Sequence, residues 1–393
     1  MKNARISSAP REGGATGHDE DSGARGAIAA IFGEGGIEIN GARPWDVQVH
    51  DDAFYDIVLG GGSLALGESY MDKLWDCERL DEFFARLIPV HISKGKALQK
   101  GMLWPIFKAK LVNLQSKTRA HQVAETHYDL GNDFYAHMLG PRMQYTCAYW
   151  KDADNLVEAQ EAKLELICRK LELKPSDKVL ELGCGWGGFA KYAAERYGCE
   201  VTGCNISKEQ VEYARESCAG LPVTILRKDY RDAEGRYDKV AAIGLCEHVG
   251  SSNYREFMGL IHRRLKDGGL ALVHTIGRNT SARAGELDPW IQKYVFPNGQ
   301  LPSLKQLADA AEGLFVIEDV HNFGASYDKT LMAWHANFVK HWPRFEAAYG
   351  ERFFRMWSYY LLSCAGAFRA RSIQLWQLVL SKEGAPGGYD SIR

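Results

Sequence analysis

At 393 residues, 46% hydrophobic and 25% charged, the chain has room for one large and one smaller domain and the composition of a well-packed globular protein. A formal net charge of −2 excludes the strongly basic balance expected of a nucleic-acid partner. The nine cysteines are odd in number and scattered without a C-x-x-C pair, which argues against a disulfide framework or structural zinc and for a reducing compartment.

Residues 1–25 are rich in Gly, Ser, Ala and charge and poor in large apolar side chains, so they are expected to form a flexible tail. They lack the apolar stretch of a signal peptide, and no apolar run in the chain approaches the roughly 18 residues of a membrane span. The expectation is a cytoplasmic protein whose membrane contact is peripheral. Over 26–92, INGARPWDVQVHD reads as strand, turn, strand, and DAFYDIVLGGG and LDEFFARLI read as amphipathic helices, giving a small α+β domain. Residues 91–121 contain no acid but hold Lys94, Lys96, Lys100, Lys108, Lys110, Lys117 and Arg119 among Leu98, Met102, Trp104, Ile106 and Phe107. Residues 93–117 fit either a solvated basic linker or a helix lying on an anionic membrane surface.

From 118 to 393 strands alternate with helices. EAQEAKLELICRKL precedes KVLELG; the helices GGFAKYAAERYG, KEQVEYARESCA and YREFMGLIHRRL are spaced among EVTGCNI, VTILRKD, YDKVAAIGL and GLALVHTIG. This alternation predicts an α/β fold with a doubly wound, Rossmann-like parallel sheet, whose ligands sit beyond the carboxyl ends of the strands. Gly183, Gly185 and Gly188 make G-x-G-x-x-G between a strand and a helix, a pattern that also suits dinucleotides. Three features favour S-adenosylmethionine over NAD. Glu181, just before the first Gly, can hold an amino-acid ammonium. The second strand ends at Asn205 rather than at the acid that reads a ribose diol. The third ends in Asp229-Tyr230-Arg231, an edge suited to adenine.

Several polar groups fall at strand ends or loops on the same side of the sheet: Glu247 and His248 after VAAIGL, His274 closing LALV, Cys147 in MQYTCAYW and Tyr327 in FGASYDKT. Taken singly each is ordinary, but their convergence beside the glycine loop marks a candidate active site. Together with PWDVQVH, LGESYMD, HYDLGNDFY, LELGCGWGG, EHVG, HTIG, DPWIQKYVFPNGQLPS and CAGAFRARSIQLWQ, the segments from about 35 to 377 resemble the bacterial cyclopropane-fatty-acyl-phospholipid synthases.

The resemblance implies transfer of a methylene group from S-adenosylmethionine to a cis double bond of an unsaturated phospholipid acyl chain. A carbocation forms and is deprotonated by a bound bicarbonate. It implies Glu247, His274, Tyr327, Cys147 and the backbone of Ile276 as the bicarbonate site. It implies Tyr145, Thr146, Glu181, Gly183, Gly185, Asn205, Gln210, Tyr230 and Arg231 around the methyl donor. It further implies a homodimer at the inner face of the cell membrane, and it makes the N-terminal domain a lipid-handling unit. Cys364, regarded in the family as a nucleophile, lies in the apolar LLSCAGAF, where a thiol's pKa rises; a packing role is expected. Two positions depart from the family pattern: Asn205, where Thr is frequent, bears on the ribose contacts, and Cys246, where an aromatic is common, is expected to widen the pocket. The alternatives are a related lipid C-methyltransferase making methyl-branched or hydroxylated chains, and a non-catalytic membrane-associated S-adenosylmethionine-binding protein.

Overall fold

The computed structural model describes residues 19–93, 130–281 and 287–393. The basic stretch expected as linker or surface helix lies almost wholly outside the described residues. The tail expected over 1–25 gives way at Asp19 to helix α1 (Asp19–Glu34), because Ala24, Ile28 and Phe32 recur at helical spacing and bury themselves. Residues 1–18 lie outside the described set. Helices α2 (Ala53–Met71) and α3 (Leu80–Ser93) follow, and strands β1 (Gln48–Val49) and β2 (Trp75–Asp76), one on each side of α2 in the chain, pair antiparallel. The two strands expected here thus shrink to a bridge between Ile39 and Val47 and one two-residue ladder.

After α4 (Gly131–Leu139) and α5 (Leu156–Lys170) the alternation predicted from sequence is present. Strands β3 (Lys178–Leu182), β4 (Glu200–Asn205), β5 (Val223–Arg227), β6 (Tyr237–Ile243), β7 (Leu265–Arg278), β8 (Val316–Asn322) and β9 (Ile373–Ser381) form one sheet in the order β5-β4-β3-β6-β7-β9-β8. All run parallel except β9, which is antiparallel to both neighbours. The interposed helices are α6 (Gly188–Tyr197), α7 (Lys208–Ser217), α8 (Tyr254–Arg264), α9 (Pro289–Tyr294), α10 (Leu304–Ala311), α11 (Ala325–His341) and α12 (Glu346–Arg369).

Strand residues of opposite parity feed two cores. Val179, Val201, Ala241, Leu272 and Val379 pack with Leu164, Phe189 and Val211 of α5, α6 and α7. Leu180, Val240, Ala271, Val273 and Leu378 pack with Phe257, Ile261 and Leu307 of α8 and α10. Burial on both faces is why these strands read as nearly continuous apolar runs.

The N-terminal helices do not close a core of their own. One cluster runs from Ile28, Phe54 and Trp75 through Phe134 and Tyr135 to Trp290, Trp357 and Phe368. Gly67 in α2 lets Trp290 sit where a Cβ would otherwise be, and Tyr359 of α12 meets Tyr70 at 5.7 Å and Phe84 at 5.1 Å between ring centroids. Arg369 on α12 binds Asp81 at 2.6 Å and Glu82 at 2.7 Å on α3, and Asp328 at 2.8 Å on α11.

Candidate active site

The glycine loop leaves β3 with Gly183 at φ 75° and Gly185 at φ 52°, left-handed geometry that a side chain would strain. Gly188 opens α6 under a different constraint. A Cβ there would overlap the Gln144 amide and stand 2.6 Å from the Arg142 carbonyl oxygen. The segment 142–147 is therefore laid directly against the loop.

That segment is tethered from below by Lys163 on α5, a residue with no solvent exposure whose ammonium donates to Gln144 Oε1 and to Thr146 Oγ1, the latter at 2.9 Å. Burial pulls Lys163 down to about 7 and pushes Glu181 up to about 8, each charge partly offsetting the other's penalty. Glu181 is 3% exposed and its Oε2 has no hydrogen-bond partner, so that oxygen is committed to nothing within the protein. An unpaired buried carboxylate oxygen beside a glycine loop fits a cationic amino-acid group.

Farther along the edge, Asn205 donates to Gly185 O at 3.0 Å and to Gln210 Oε1 at 2.8 Å. Ser207 caps α7 by accepting from Gln210 N, which holds that side chain near Asn205. Tyr230 and Arg231 lie in a single 3₁₀ turn after β5. Arg231 is clamped by Asp229 (2.8 and 2.7 Å) and sits 5.4 Å over the Tyr230 ring.

The second constellation lies at the carboxyl end of β6 and on the neighbouring stretch of β7. That strand runs on to Arg278, so His274 does not close it as expected but lies within it, opposite Ile243. Glu247, in a 3₁₀ turn, is 8% exposed, and its Oε1 accepts from Ile276 N at 2.7 Å while Oε2 has no partner. The Ile276 N–H expected to face an anion is thus committed to the carboxylate in this structure. Burial pushes Glu247 up to about 7 despite that bond. His274 is 1% exposed; Gln377 on β9 meets its Nδ1 at 3.2 Å, and its Nε2 has no partner. Burial, helped by Lys163 and Lys170, holds the imidazole well below its ordinary value, so it is neutral.

Tyr327 on α11 stacks on Phe368 at 4.5 Å. Its phenol is held well above the ordinary range by burial first, then by the proximity of Cys147, Glu247, Tyr145 and Cys364. Those residues come from three distant parts of the sequence, the 145–147 segment, Glu247 and Cys364, and Tyr327 is the point at which the fold gathers them. The Cys147 thiol is fully buried and donates to Ala148 O at 3.2 Å. Tyr145 donates to the Tyr360 hydroxyl at 3.0 Å and packs against Tyr135 and Trp334. The Cys364 thiol, pushed up to about 12 by burial, is a poor nucleophile beside this cluster. Cys246 does not widen a pocket: it is fully buried in the core with Val249, Tyr254 and Phe257.

Sequence patterns alone do not single out Lys163, Gln377 or Tyr360. For Lys163 a signal exists: it lies at i+4 from Ala159 and i−4 from Ile167, both fully buried, and so occupies the apolar face of α5.

Comparison with known proteins assigns this geometry. Residues 115–378 match the mycolic acid cyclopropane synthetase family. The chain belongs to that family. It is 51% identical over 352 residues to cyclopropane-fatty-acyl-phospholipid synthase of Escherichia coli K12, covering 90% of this chain and 92% of that one. A probable fatty acid methyltransferase of Pseudomonas putida is 38% identical over 278 residues, covering 67% and 70%. Among solved structures, mycolic acid cyclopropane synthase CmaA1 complexed with SAH and CTAB superposes with a TM-score of 0.62 at 30% identity, covering 67% of this chain and 98% of that one. As a family member the chain is an S-adenosylmethionine-dependent methyltransferase with the Rossmann-like fold of that class.

Proposed function

We propose that the chain converts a cis double bond of an unsaturated phospholipid acyl chain into a cyclopropane ring, through a carbocation deprotonated by bicarbonate held at Glu247 and His274. The observation that carries the reading is the pair of unpartnered buried atoms, Glu247 Oε2 as acceptor in the turn after β6 and His274 Nε2 as donor on β7, level with the last residue of β6. Stranded polar atoms in an aromatic surround cost about 1–3 kcal/mol each unless a ligand completes them. A small anion carrying both a hydroxyl and acceptor oxygens completes both. Bound S-adenosylmethionine would supply the methyl and bound bicarbonate the base.

The chain's own residues supply the rest. Glu181 and the 183–188 loop hold the donor's amino-acid end, Thr146 and Tyr145 flank it, and Asn205 with Gln210 faces the ribose. Tyr230 and Arg231 take the adenine. The aromatic walls of Tyr145, Tyr360, Trp334 and Phe368 keep water from a cationic centre, which would otherwise be captured as an alcohol. The alkene π pair forms the first carbon–carbon bond as the sulfur–carbon bond breaks. A proton then leaves the new methyl, and its electron pair closes the ring. Glu247 and His274 orient the base that receives that proton.

The same reading makes the protein a homodimer working at the inner membrane face. Similarity to a synthase named for phospholipid substrates supports the substrate class. Among the described residues no helix is long and apolar enough to cross a membrane, which suits attachment from one side. Purified protein with S-adenosylmethionine, bicarbonate and vesicles of monounsaturated phospholipid should yield acyl chains with upfield cyclopropane proton signals. Methylated alkene or hydroxylated chains instead would overturn ring closure and favour a branching C-methyltransferase.

A further inference from the structure

β9 carries a polar side chain where the sheet should want an apolar one. Gln377 has no solvent exposure, and its same-face neighbours Leu375 and Val379 are core residues. It lies directly opposite His274 on β7 and directly opposite His321 on β8, at the middle of a three-strand row. A buried primary amide costs free energy that a Leu or Met of similar size would not. Its contact is with one ring nitrogen, His274 Nδ1, at 3.2 Å.

Two orientations of the amide are chemically possible. With the nitrogen toward the ring, Gln377 donates one N–H to Nδ1, leaving one N–H unmade and the amide oxygen without a partner. With the oxygen toward the ring, the NH₂ group would be stranded in the core with two unmade donors. Buried N–H groups are the more strictly satisfied of the two kinds, so the donating orientation is favoured. It has a direct consequence: Nδ1 must then be the acceptor, and the ring proton must sit on Nε2.

We infer that Gln377 is a positioning residue that fixes the tautomer of His274, so that Nε2–H is permanently presented as a donor to the anion of the proposed base site. The inference rests on the bicarbonate reading for the identity of the anion, but not for the tautomer. A neutral donor suits this role, because the anion is held by a hydrogen bond and keeps its basicity, whereas an imidazolium would surrender a proton to it.

The test uses the full chain with histidine-selective ¹⁵N labelling, His274 being identified by its loss in His274→Gln. Long-range ¹H–¹⁵N correlation reads the tautomer without any turnover. The wild type should show His274 protonated at Nε2 from about pH 6 to about pH 8, across the range in which an ordinary imidazole titrates. Gln377→Met, which keeps the volume and removes the donor, should show mixed tautomers. It should raise the sodium bicarbonate concentration for half-maximal activity about 10–100-fold, the usual cost of losing a partner that orients a ligand histidine. Its KM for S-adenosylmethionine should stay at the wild-type value. A wild-type His274 protonated at Nδ1 overturns the inference, as does a Gln377→Met spectrum and bicarbonate dependence like the wild type's. If the Met variant does not fold, the wild-type spectrum alone decides. A wild-type enzyme indifferent to bicarbonate in carbon-dioxide-depleted buffer, with the tautomer as stated, sinks the anion reading and leaves the Gln377–His274 assignment standing.

Discussion

Glu247 is a carboxyl kept near its ionisation point by its own burial, and its value of about 7 has consequences for both rate and stability. As an acceptor at Oε2 it must be ionised, so kcat/KM, which reports the free enzyme, should rise with pH through about 7 on the acid limb. His274, neutral throughout that range, adds no limb of its own. Glu247→Gln should lose at least about 10²-fold in kcat, as removal of a positioned acid–base partner does. The same substitution should stabilise the fold. The carboxyl's folded value lies above its ordinary 4.5, so the contribution of the protonated form is fully present below pH 4.5 and is lost as pH rises through about 7. Thermal or urea unfolding at about pH 8 should therefore find Glu247→Gln more stable by up to about 3 kcal/mol, the advantage vanishing towards about pH 4.5. An equal stability at both pH values would mean that the buried charge costs nothing.

At the scale of elements, the site is a junction between the 142–147 segment and the start of α6. Gly188→Ala would drive a methyl group into the Gln144 amide and the Arg142 carbonyl. Backbone cannot swing aside as a side-chain tip can, so the loop itself must shift. S-adenosylmethionine affinity, measured by calorimetry, should fall about tenfold or more, since overpacking costs about 1–3 kcal/mol. The strands and helices that frame this junction were legible in the sequence because each carries its own periodicity. Glu247, His274 and Tyr327 were legible as candidates because they sit in short distinctive strings, EHVG, HTIG and FGASYDKT. What remained hidden were partners supplied across the sheet. Gln377 pairs with His274 103 residues away, and no local pattern announces an antiparallel β9 inserted between β7 and β8. Cys246 misled for the same reason: next to Glu247 in sequence, it points into the opposite core. The N-terminal strands came out far shorter than their sequence suggests, because a two-residue strand leaves no measurable alternation.

Across the whole molecule, the N-terminal helices are held to the catalytic sheet by a buried aromatic seam and a few ion pairs. Arg369 is the most connected of these, and Asp81, its partner on α3, is nearly fully buried. Arg369→Met should destabilise the protein by about 3 kcal/mol in urea unfolding, by leaving Asp81 with Arg79 alone. A loss below about 0.5 kcal/mol would show that the seam is held by its aromatic rings. The proposed membrane attachment belongs to the same scale. Neutralising Lys94, Lys96 and Lys100 to Gln should weaken binding to anionic vesicles and flatten its salt dependence, at about 1 kcal/mol per charge near the surface. Unchanged co-sedimentation would count against the proposed membrane contact of this stretch.

The shared core also sets an order of events during synthesis. The contact of Asp81 with Arg369 spans 288 residues, and that of Trp75 with Arg355 spans 280. At roughly 5–20 residues per second, the first helices leave the ribosome roughly 15–60 s before α12 exists to cover them. During that interval Tyr70 and Phe84 lack Tyr359, the ring of α12 that packs on both. A nascent chain of this design should therefore need a holding chaperone, and fragments ending before α12 should aggregate rather than persist as a folded N-terminal unit.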